Sequence, residues 1–379
     1  MTKIFLYAGA NPLGNFVNQI ILATSIKERI LKSKVCILYD DNRPYKSALA
    51  KCAYNVDLII RNYENQTFPI QHFSYNEIKK KDVQFSNWKN FGFQESDIVI
   101  SGNSIDKNFF NKDMNIVNLV PPKEMCRIND KKLEKLGLNL NKWFAAVYWK
   151  EPGYLFRPEN KIRTYFDCSN FLKSINYIVN DLGGQVVRLG HPGKSYFDSK
   201  NKNIIDLANI PNSEELQMYS ISRSRFLVST ASGPTQVGMS FGTPTLMVDS
   251  PTITYAFGEE SYVLTYGIRV KKINKEFKQL EAYKKGLLDD DYYNSLVVPE
   301  IVSKDKKIPE IEYRKNTTEE IIEGINEMYL ISKKNKSLFL INKKIDIKKF
   351  DKNKKLEFPL CGRTFPQLLI PPSKRKKSS

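Results

Sequence analysis

The sequence predicts an α/β protein made of two doubly wound parallel sheets, each in a domain of its own. Apolar strand-like runs alternate with amphipathic helical runs, and this alternation occurs twice along the chain. Such alternation is typical of parallel sheets that carry helices on both faces. A length of 379 residues exceeds one ordinary core and suits two domains. We therefore expect two Rossmann-like domains facing a cleft, with ligands at the carboxyl ends of the strands.

The first alternation occupies the N-terminal third of the chain. Its predicted strands are 3–9, 34–40, 56–60, 97–101 and 116–120, and its predicted helices are 16–31 and 44–53. The first strand ends in GANPLGN (9–15), where glycines such as Gly14 let a substrate approach the backbone closely. A plain strand-to-helix turn explains the same residues. Residues 62–95 show no clear period and are expected to form loops and short helices.

The second alternation begins after Pro121-Pro122 and a polar run at 129–141, which we expect to link the domains. We place the domains at 1–140 and 141–330, followed by a basic tail at 331–379. The predicted strands of the second domain are 143–149, 185–189, 225–230 and 244–248, and its predicted helices are 167–182, one capped by Ser213, and 234–241. TTEE at 317–320 resembles a capping box ahead of a last helix.

Residues 183–249 carry the clearest chemical signal. After the strand 225–230, Ser-Gly-Pro opens a helix, so free backbone N–H groups and the positive end of a helix dipole lie at one point. This arrangement suits a phosphate, with Ser232, Gly233 and Thr235 as candidate donors. An ordinary helix cap with proline in the first turn explains the same residues.

Basic residues at two other strand ends could face the same ligand. Arg188 ends a strand and precedes Leu-Gly-His-Pro-Gly, whose two glycines, the first of them Gly190, allow close approach of a ligand to the backbone. His191 is expected to contact the donor or to be an ordinary loop residue, and not to act as a base. A salt bridge at the strand end is the alternative interpretation of Arg188. Lys150, which ends the first strand of the second domain, is a cation that can stabilise the negative charge of a phosphate leaving group.

The order of several short motifs resembles bacterial glycosyltransferases of cell-surface polysaccharide biosynthesis, which have the two-domain GT-B fold. The motifs are VYWKEPGY (147–154), GGQVVRLG (183–190), IIDL (204–207), the SGP turn with FGTPTL (241–246), and TTEEIIEGINEM (317–328). The resemblance covers 147–330 well and the N-terminal domain loosely. The family has Arg where this chain has Lys150, and a His near Tyr148 or Trp149 that this chain lacks.

The resemblance implies transfer of a sugar from a nucleotide-activated donor to a glycan or lipid-linked acceptor, without a divalent metal or other cofactor. Inversion is preferred because a direct displacement needs only one base. That base activates the acceptor hydroxyl. Glu151 and Asp41 are the candidates, with Asp40 and Asp106 left open, and an ion pair with a nearby lysine or arginine explains Glu151 equally well. The alternative functions are a sugar-nucleotide epimerase on the same fold and a non-catalytic, membrane-associated scaffold.

Missing motifs narrow the remaining classes. The chain contains no GxGxxG and no GxxxxGK[ST], so neither a dinucleotide site nor a P-loop ATPase is indicated. Its only two histidines are His72 and His191, which disfavours a catalytic or metal-binding histidine pair. Five scattered cysteines without CxxC spacing indicate a reducing compartment. With no signal peptide or membrane span in the sequence, we expect a cytoplasmic protein.

The net charge of +18 is concentrated in the tail. Residues 330–379 hold 15 Lys/Arg and 3 Asp/Glu, which accounts for +12 and leaves +6 for the other 329 residues. A solvated tail, attraction to the anionic inner face of the membrane, and nucleic-acid binding are the three interpretations. Because the tail has no recognisable nucleic-acid-binding fold and no aromatic ladder, nucleic acid is the least favoured partner.

Overall fold

The structure is a computed structural model, and its described residues form two compact units. It describes residues 2–8, 12–29, 32–40, 43–62, 98–101, 117–151, 168–191, 201–250, 261–265, 267–270, 275–278 and 311–332. The first unit comprises described residues of Met1–Ile128 together with Ser240–Gly242, and the second comprises those of 129–239 and 243–332. The predicted domain limits at 140/141 and 330/331 stay predictions.

The first unit is built on a parallel sheet of four strands. Its strands are β1 (Thr2–Ala8), β2 (Ser33–Asp40), β3 (Leu58–Asn62) and β4 (Ile98–Ser101), and its helices are α1 (Leu13–Arg29), α2 (Pro44–Lys51) and the start of α3 (Lys123–Lys135). The strand order is β3-β2-β1-β4, so the chain reverses direction across the sheet at β1. The apolar run of β2 suits its place inside the sheet, between β1 and β3, where residues Val35 to Tyr39 are all buried.

One predicted strand of the first unit is absent from the described structure. Residues 117–120 were expected to form a strand, but they adopt no regular secondary structure. The N–H of Leu119 donates to the carbonyl of Ser240 at 2.8 Å, and the N–H of Val120 donates to the carbonyl of Cys52 at 3.0 Å. The segment is therefore held by isolated backbone hydrogen bonds to two different segments and not by a ladder with one strand, and of its apolar residues Val117 and Leu119 are buried whereas Val120 is exposed.

The second unit contains a parallel sheet of six strands with the classical doubly wound order. Its strands are β5 (Phe144–Tyr148), β6 (Gln185–Arg188), β7 (Ile204–Asp206), β8 (Phe226–Thr230), β9 (Thr245–Ser250) and β10 (Ser261–Thr265). The order β7-β6-β5-β8-β9-β10 places the reversal of strand direction across the sheet between β5 and β8. The helices are α4 (Ser169–Asn180), α5 (Glu214–Arg223), α6 (Gly233–Ser240) and α7 (Thr318–Ile331).

The last helix, α7, closes the core of the second unit. It packs against α4 and against β8, β9 and β10. Apolar residues of α4, α7 and the sheet form one buried cluster that includes Phe171, Ile178, Val228, Ile321 and Met328. The predicted capping box is confirmed, since the N–H of Glu320 donates to the hydroxyl of Thr317 and the N–H of Thr317 donates to the Glu320 carboxylate at 3.0 Å.

A small antiparallel sheet was not predicted from the sequence. It consists of β11 (Gly267–Val270), β12 (Lys275–Lys278) and β13 (Ile311–Arg314), in the order β12-β11-β13. The predicted cap of α5 is also wrong in detail. Ser213 precedes that helix, but its side chain makes no capping bond and instead donates to the carbonyl of Leu207 at 2.9 Å. None of the helices that the structure describes is long and apolar enough to cross a membrane.

Candidate functional site

The carboxyl ends of β5 and β8 meet where the strand order of the second sheet reverses. After β5 the chain continues through Trp149 to Lys150, whose N–H donates to the hydroxyl of Thr230 at the end of β8 over 3.2 Å. In open doubly wound sheets, ligands bind outside the carboxyl ends of the strands at this kind of switch point. Two predicted features, Lys150 and the turn after β8, are therefore brought together here.

The turn after β8 is held by hydroxyl groups that bond back to the strand. The hydroxyls of Ser232 and Thr235 both donate to the carbonyl of Thr230, at 2.8 and 2.7 Å. Thr235 is fully buried, so its hydroxyl stabilises the turn. The groups left for an anion are backbone N–H groups in the first turn of α6, such as those of Gly233 and Thr235, because the first N–H groups of a helix have no carbonyl partner within it.

Arg188 lies in a buried ionic cluster at the ends of β6 and β7. Its side chain is fully buried, and Nη1 donates to Asp206 Oδ2 at 2.9 Å while Nη2 donates to Glu151 Oε1. The guanidinium carbon lies 4.6 Å from the centroid of the Trp149 ring. This is the strand-end salt bridge that the sequence left open. The predicted contact of Arg188 with a phosphate stays a prediction.

Glu151 forms an ion pair across the sheet with Arg188, 37 positions away in the sequence. Of the nearby basic residues that could also pair with it, Arg157 and Arg163 lie outside the described residues. Glu151 is 7% exposed. A buried carboxylate that balances a buried arginine has a structural function of its own, so the role of Glu151 as a base stays a prediction.

The predicted loop residues Gly190 and His191 occupy different environments. The backbone of Gly190 is clamped by the Gln217 side chain, because Gly190 N–H donates to Oε1 at 3.0 Å and Gln217 Nε2 donates to the Gly190 carbonyl at 2.9 Å. A Cβ atom at Gly190 would lie 2.9 Å from that of Ala208, so close packing also explains the glycine. His191 is exposed.

Asp249, which the sequence reasoning did not single out, lies near the end of β9. Asp249 is 2% exposed, and its φ of 50° is in the left-handed region that favours glycine. Burial raises the pKa of its carboxyl to about 7, against partial opposition from the Asn316 backbone N–H. An acidic residue at the carboxyl end of an apolar strand run was the signal that could have identified it.

The remaining predicted residues belong to the first unit or lie outside the described residues. Gly14 is in the first turn of α1, directly after β1 in the chain, and Pro12 accepts the first helical hydrogen bond from Phe16 at 3.0 Å. Asp40 ends β2. Asp41 and Asp106 lie outside the described residues.

Metal and thiol chemistry have no assembled site in the described part of the chain. No group of three or more His, Cys, Asp or Glu side chains there is placed to hold a metal ion. The four described cysteines are free thiols, and burial followed by the charge of Asp57 raises the pKa of Cys36 to about 12. A thiol with so high a pKa is not a nucleophile near neutral pH.

Comparison with solved structures shows the fold. A family 9 glycosyl transferase from Veillonella parvula matches with a TM-score of 0.54 and 13% identity, over 87% of this chain and 98% of that chain. The ADP-heptose LPS heptosyltransferase II of E. coli matches with a TM-score of 0.52 and 11% identity, over 88% of this chain and 100% of that chain. A UDP-N-acetylglucosamine 2-epimerase matches with a TM-score of 0.31, which is too low to carry an argument.

These similarities confirm the predicted fold class, an α/β architecture of the GT-B type with Rossmann-like parallel sheets. No protein-family model matches the sequence. No curated protein matches it either. At identities of 11–13% the likeness establishes the fold alone.

Proposed function

We propose that this protein is a glycosyltransferase that moves a sugar from a nucleotide-activated donor to a glycan or lipid-linked acceptor of the cell surface. The observation that carries the proposal is the switch point of the second sheet, where Lys150 and the start of α6 lie at adjacent strand ends. The likeness to family 9 glycosyltransferase and heptosyltransferase structures, over 87–88% of this chain, supports it.

The chemistry at this point suits a nucleoside diphosphate. Departure of the diphosphate develops negative charge, which fixed cations and N–H donors stabilise without reorganising. Lys150 supplies a cation, and the first turn of α6 supplies N–H groups and the positive end of a helix dipole. We therefore assign the donor to the second unit, and the resemblance to GT-B glycosyltransferases leads us to propose the first unit for the acceptor.

The buried cluster around Arg188 has a positioning role in this proposal. Glu151 directly follows Lys150, and its ion pair with Arg188 ties that segment to the end of β6. The Trp149 ring packs on Arg188 on one side and on Phe171 at 5.7 Å between ring centroids. Lys150 is thus flanked by two residues anchored in the core, which limits its movement relative to the donor phosphates.

The finer features of the reaction are proposed on the sequence resemblance. The transfer inverts the anomeric centre and proceeds without a metal or other cofactor. One carboxylate, Glu151 or Asp41, takes the proton of the acceptor hydroxyl as that hydroxyl attacks the sugar, and the nucleoside diphosphate leaves. Glu151 already balances the buried charge of Arg188, and both carboxylates remain candidates for the base.

Binding of donors to the full-length chain tests the proposal. Thermal stability is measured with UDP, GDP, ADP, CMP and dTDP and with the corresponding sugar nucleotides, because a ligand that binds only the folded state raises Tm. We expect one nucleotide class to raise Tm and Lys150→Ala to reduce that rise. No shift with any nucleotide would refute the proposal. A rearranged free sugar formed without an acceptor would favour the epimerase.

The basic tail is proposed to attach the enzyme to the inner face of the cytoplasmic membrane. A segment with 15 Lys/Arg and 3 Asp/Glu is attracted to anionic lipid, at about 1 kcal/mol for each basic residue near the surface. Deletion of residues 342–379 should weaken sedimentation with phosphatidylserine vesicles and leave nucleotide affinity unchanged. Equal sedimentation of the two proteins would refute attachment through the tail.

A further inference from the structure

Asp249 is placed next to the proposed phosphate-binding turn. In the register of β8 and β9, Thr230 pairs with Val248, so Asp249 lies one position further, alongside the residue that precedes Ser232. Both segments are at the carboxyl edge of the sheet, one strand away from the switch point. A polar group at this position is within the part of the fold where ligands bind.

Of the two oxygens of the Asp249 carboxylate, one accepts a hydrogen bond from a described residue and the other accepts none. Oδ1 accepts the backbone N–H of Asn316 at 2.6 Å, and the backbone N–H of Asp249 donates to the side-chain oxygen of Asn316 at 2.8 Å. Oδ2 is buried and has no hydrogen-bond partner among the residues that the structure describes. The neighbouring charges belong to Arg314, Lys315 and Glu320.

A second aspartate of the same edge shows what a purely structural carboxylate looks like. Asp206 Oδ1 accepts the N–H of Ala208 at 3.0 Å, and Oδ2 accepts from Arg188 at 2.9 Å and from Asn209 at 2.7 Å. Each of its oxygens is engaged. Asp249, although more deeply buried, leaves an acceptor unused at the usual cost of a buried unsatisfied polar atom.

The backbone of Asp249 adds to this cost. A φ of 50° is unfavourable for a residue with a Cβ atom, and glycine would adopt it without strain. The chain thus has an aspartate where burial disfavours a carboxylate and where glycine would fit the backbone with less strain. Strained, incompletely satisfied residues persist most often where a ligand supplies the missing interaction.

We propose that Asp249 is a binding residue for the donor, and that its Oδ2 accepts a hydrogen bond from a hydroxyl group of the bound nucleotide sugar. This assignment rests on the proposed function. A hydroxyl fits better than a phosphate, because a carboxylate would repel a phosphate and the start of α6 already offers N–H groups to one. The hydroxyl belongs either to the ribose or to the transferred sugar.

The variant Asp249→Asn separates this role from a structural one. It keeps an oxygen for the Asn316 N–H, removes the charge and replaces Oδ2 with an N–H donor. We expect donor affinity to fall about fivefold or more, since hydrogen bonds to charged groups are stronger than neutral ones. We expect Tm without ligand to stay equal or rise by a few degrees, because a buried unpartnered charge is removed.

Two comparison variants accompany it. Asp181→Asn removes an exposed carboxylate of the same unit and should change neither quantity. Asn316→Ala removes the oxygen that accepts the Asp249 N–H and should lower Tm. The affinity of each protein is measured by calorimetry with the nucleoside diphosphate and the sugar nucleotide that stabilise the wild type.

The outcomes separate the two hypotheses and the two hydroxyl sources. A weakened Asp249→Asn complex with both ligands indicates a ribose hydroxyl, and weakening with the sugar nucleotide alone indicates the sugar. If the wild type binds donor and Asp249→Asn binds it equally well, the assignment is wrong whatever the Tm, and a lowered Tm then shows that Asp249 is structural. If no nucleotide binds the wild type, the proposed function itself fails, and this assignment with it.

Discussion

In the second sheet an arginine stacks on a tryptophan both at the amino ends of the strands (the amino edge) and at their carboxyl ends (the carboxyl edge). The two arginines differ in burial and in their hydrogen-bond partners. At the amino edge, Arg225 lies 4.9 Å from the Trp143 ring and 4.1 Å from the Tyr329 ring, and it donates to Ser332 Oγ at 2.8 Å and to the Tyr329 carbonyl at 3.1 Å. It completes the C-terminal end of α7, where cations and donors are stabilising.

At the carboxyl edge, Arg188 is fully buried and its partners are carboxylates. This edge also holds the strained Asp249 with its unused oxygen and the open first turn of α6. The amino edge satisfies neutral acceptors with a half-buried arginine, whereas the carboxyl edge concentrates buried charge. The difference is what we expect if the amino edge serves stability and the carboxyl edge accepts a stability cost for the proposed ligand.

The largest effect is expected from breaking the buried ion pair. Glu151→Gln leaves one side of the buried Arg188 guanidinium without a carboxylate and should destabilise the protein by about 3–5 kcal/mol in chemical denaturation. Glu134→Gln, on an exposed position of α3, is the control and should change stability little. A loss below about 1 kcal/mol would mean that Asp206 alone balances the charge. Activity loss in Glu151→Gln therefore does not by itself identify a base.

The next effect is a pH dependence centred on Asp249. Burial raises its pKa from 3.8 to about 7. At pH values between these two, the folded state therefore keeps a proton that the unfolded state has lost. The contribution of this proton to the free energy of unfolding is thus fully present below about pH 4. It declines as pH rises toward 7, by at most on the order of 4 kcal/mol. Asp249→Asn cannot ionise, so its Tm relative to wild type should increase from pH 4 to pH 8. A constant difference would contradict the assigned charge state.

A smaller effect is expected at the amino edge. Arg225→Ala loses two ring contacts and two hydrogen bonds and should cost about 2 kcal/mol. Nucleotide affinity should remain that of the wild type, because this edge is opposite the strand ends at which we propose that the nucleotide binds. Arg225→Lys should recover part of the stability. Weaker nucleotide binding by Arg225→Ala, at a temperature where it is folded, would contradict the division between the edges.

The smallest free-energy change is expected at Lys150. Lys150→Ala should lower the affinity for the nucleoside diphosphate about tenfold, equivalent to about 1.4 kcal/mol. It should leave the free energy of unfolding within about 0.5 kcal/mol of the wild-type value. Lys150→Arg, which keeps the charge, should bind within a few-fold of the wild type. Titration calorimetry and denaturation of the same samples measure both quantities. Unchanged affinity of Lys150→Ala would remove Lys150 from the site.

Local sequence patterns account for most of the secondary structure. The apolar runs at β1, β2, β5, β6, β8 and β9 and the capping box at Thr317 were identified correctly, because period and cap chemistry are properties of a few adjacent residues. The antiparallel sheet was missed, since β11 pairs with β13 some forty positions away. The segment 117–120 was misassigned because an apolar run does not reveal whether it forms a ladder.

The sequence by itself determined the strand–helix alternation, the basic tail and the location of Lys150 and the Ser-Gly-Pro turn at strand ends. Only the tertiary structure decided which strands are neighbours, and with them the partners of charged residues. It joined Arg188 to Glu151 and Asp206 from two other strand ends, and it buried Asp249 beside Asn316, 67 positions away. Pairing and burial of charges depend on contacts between distant segments, and a local pattern contains no information about those contacts.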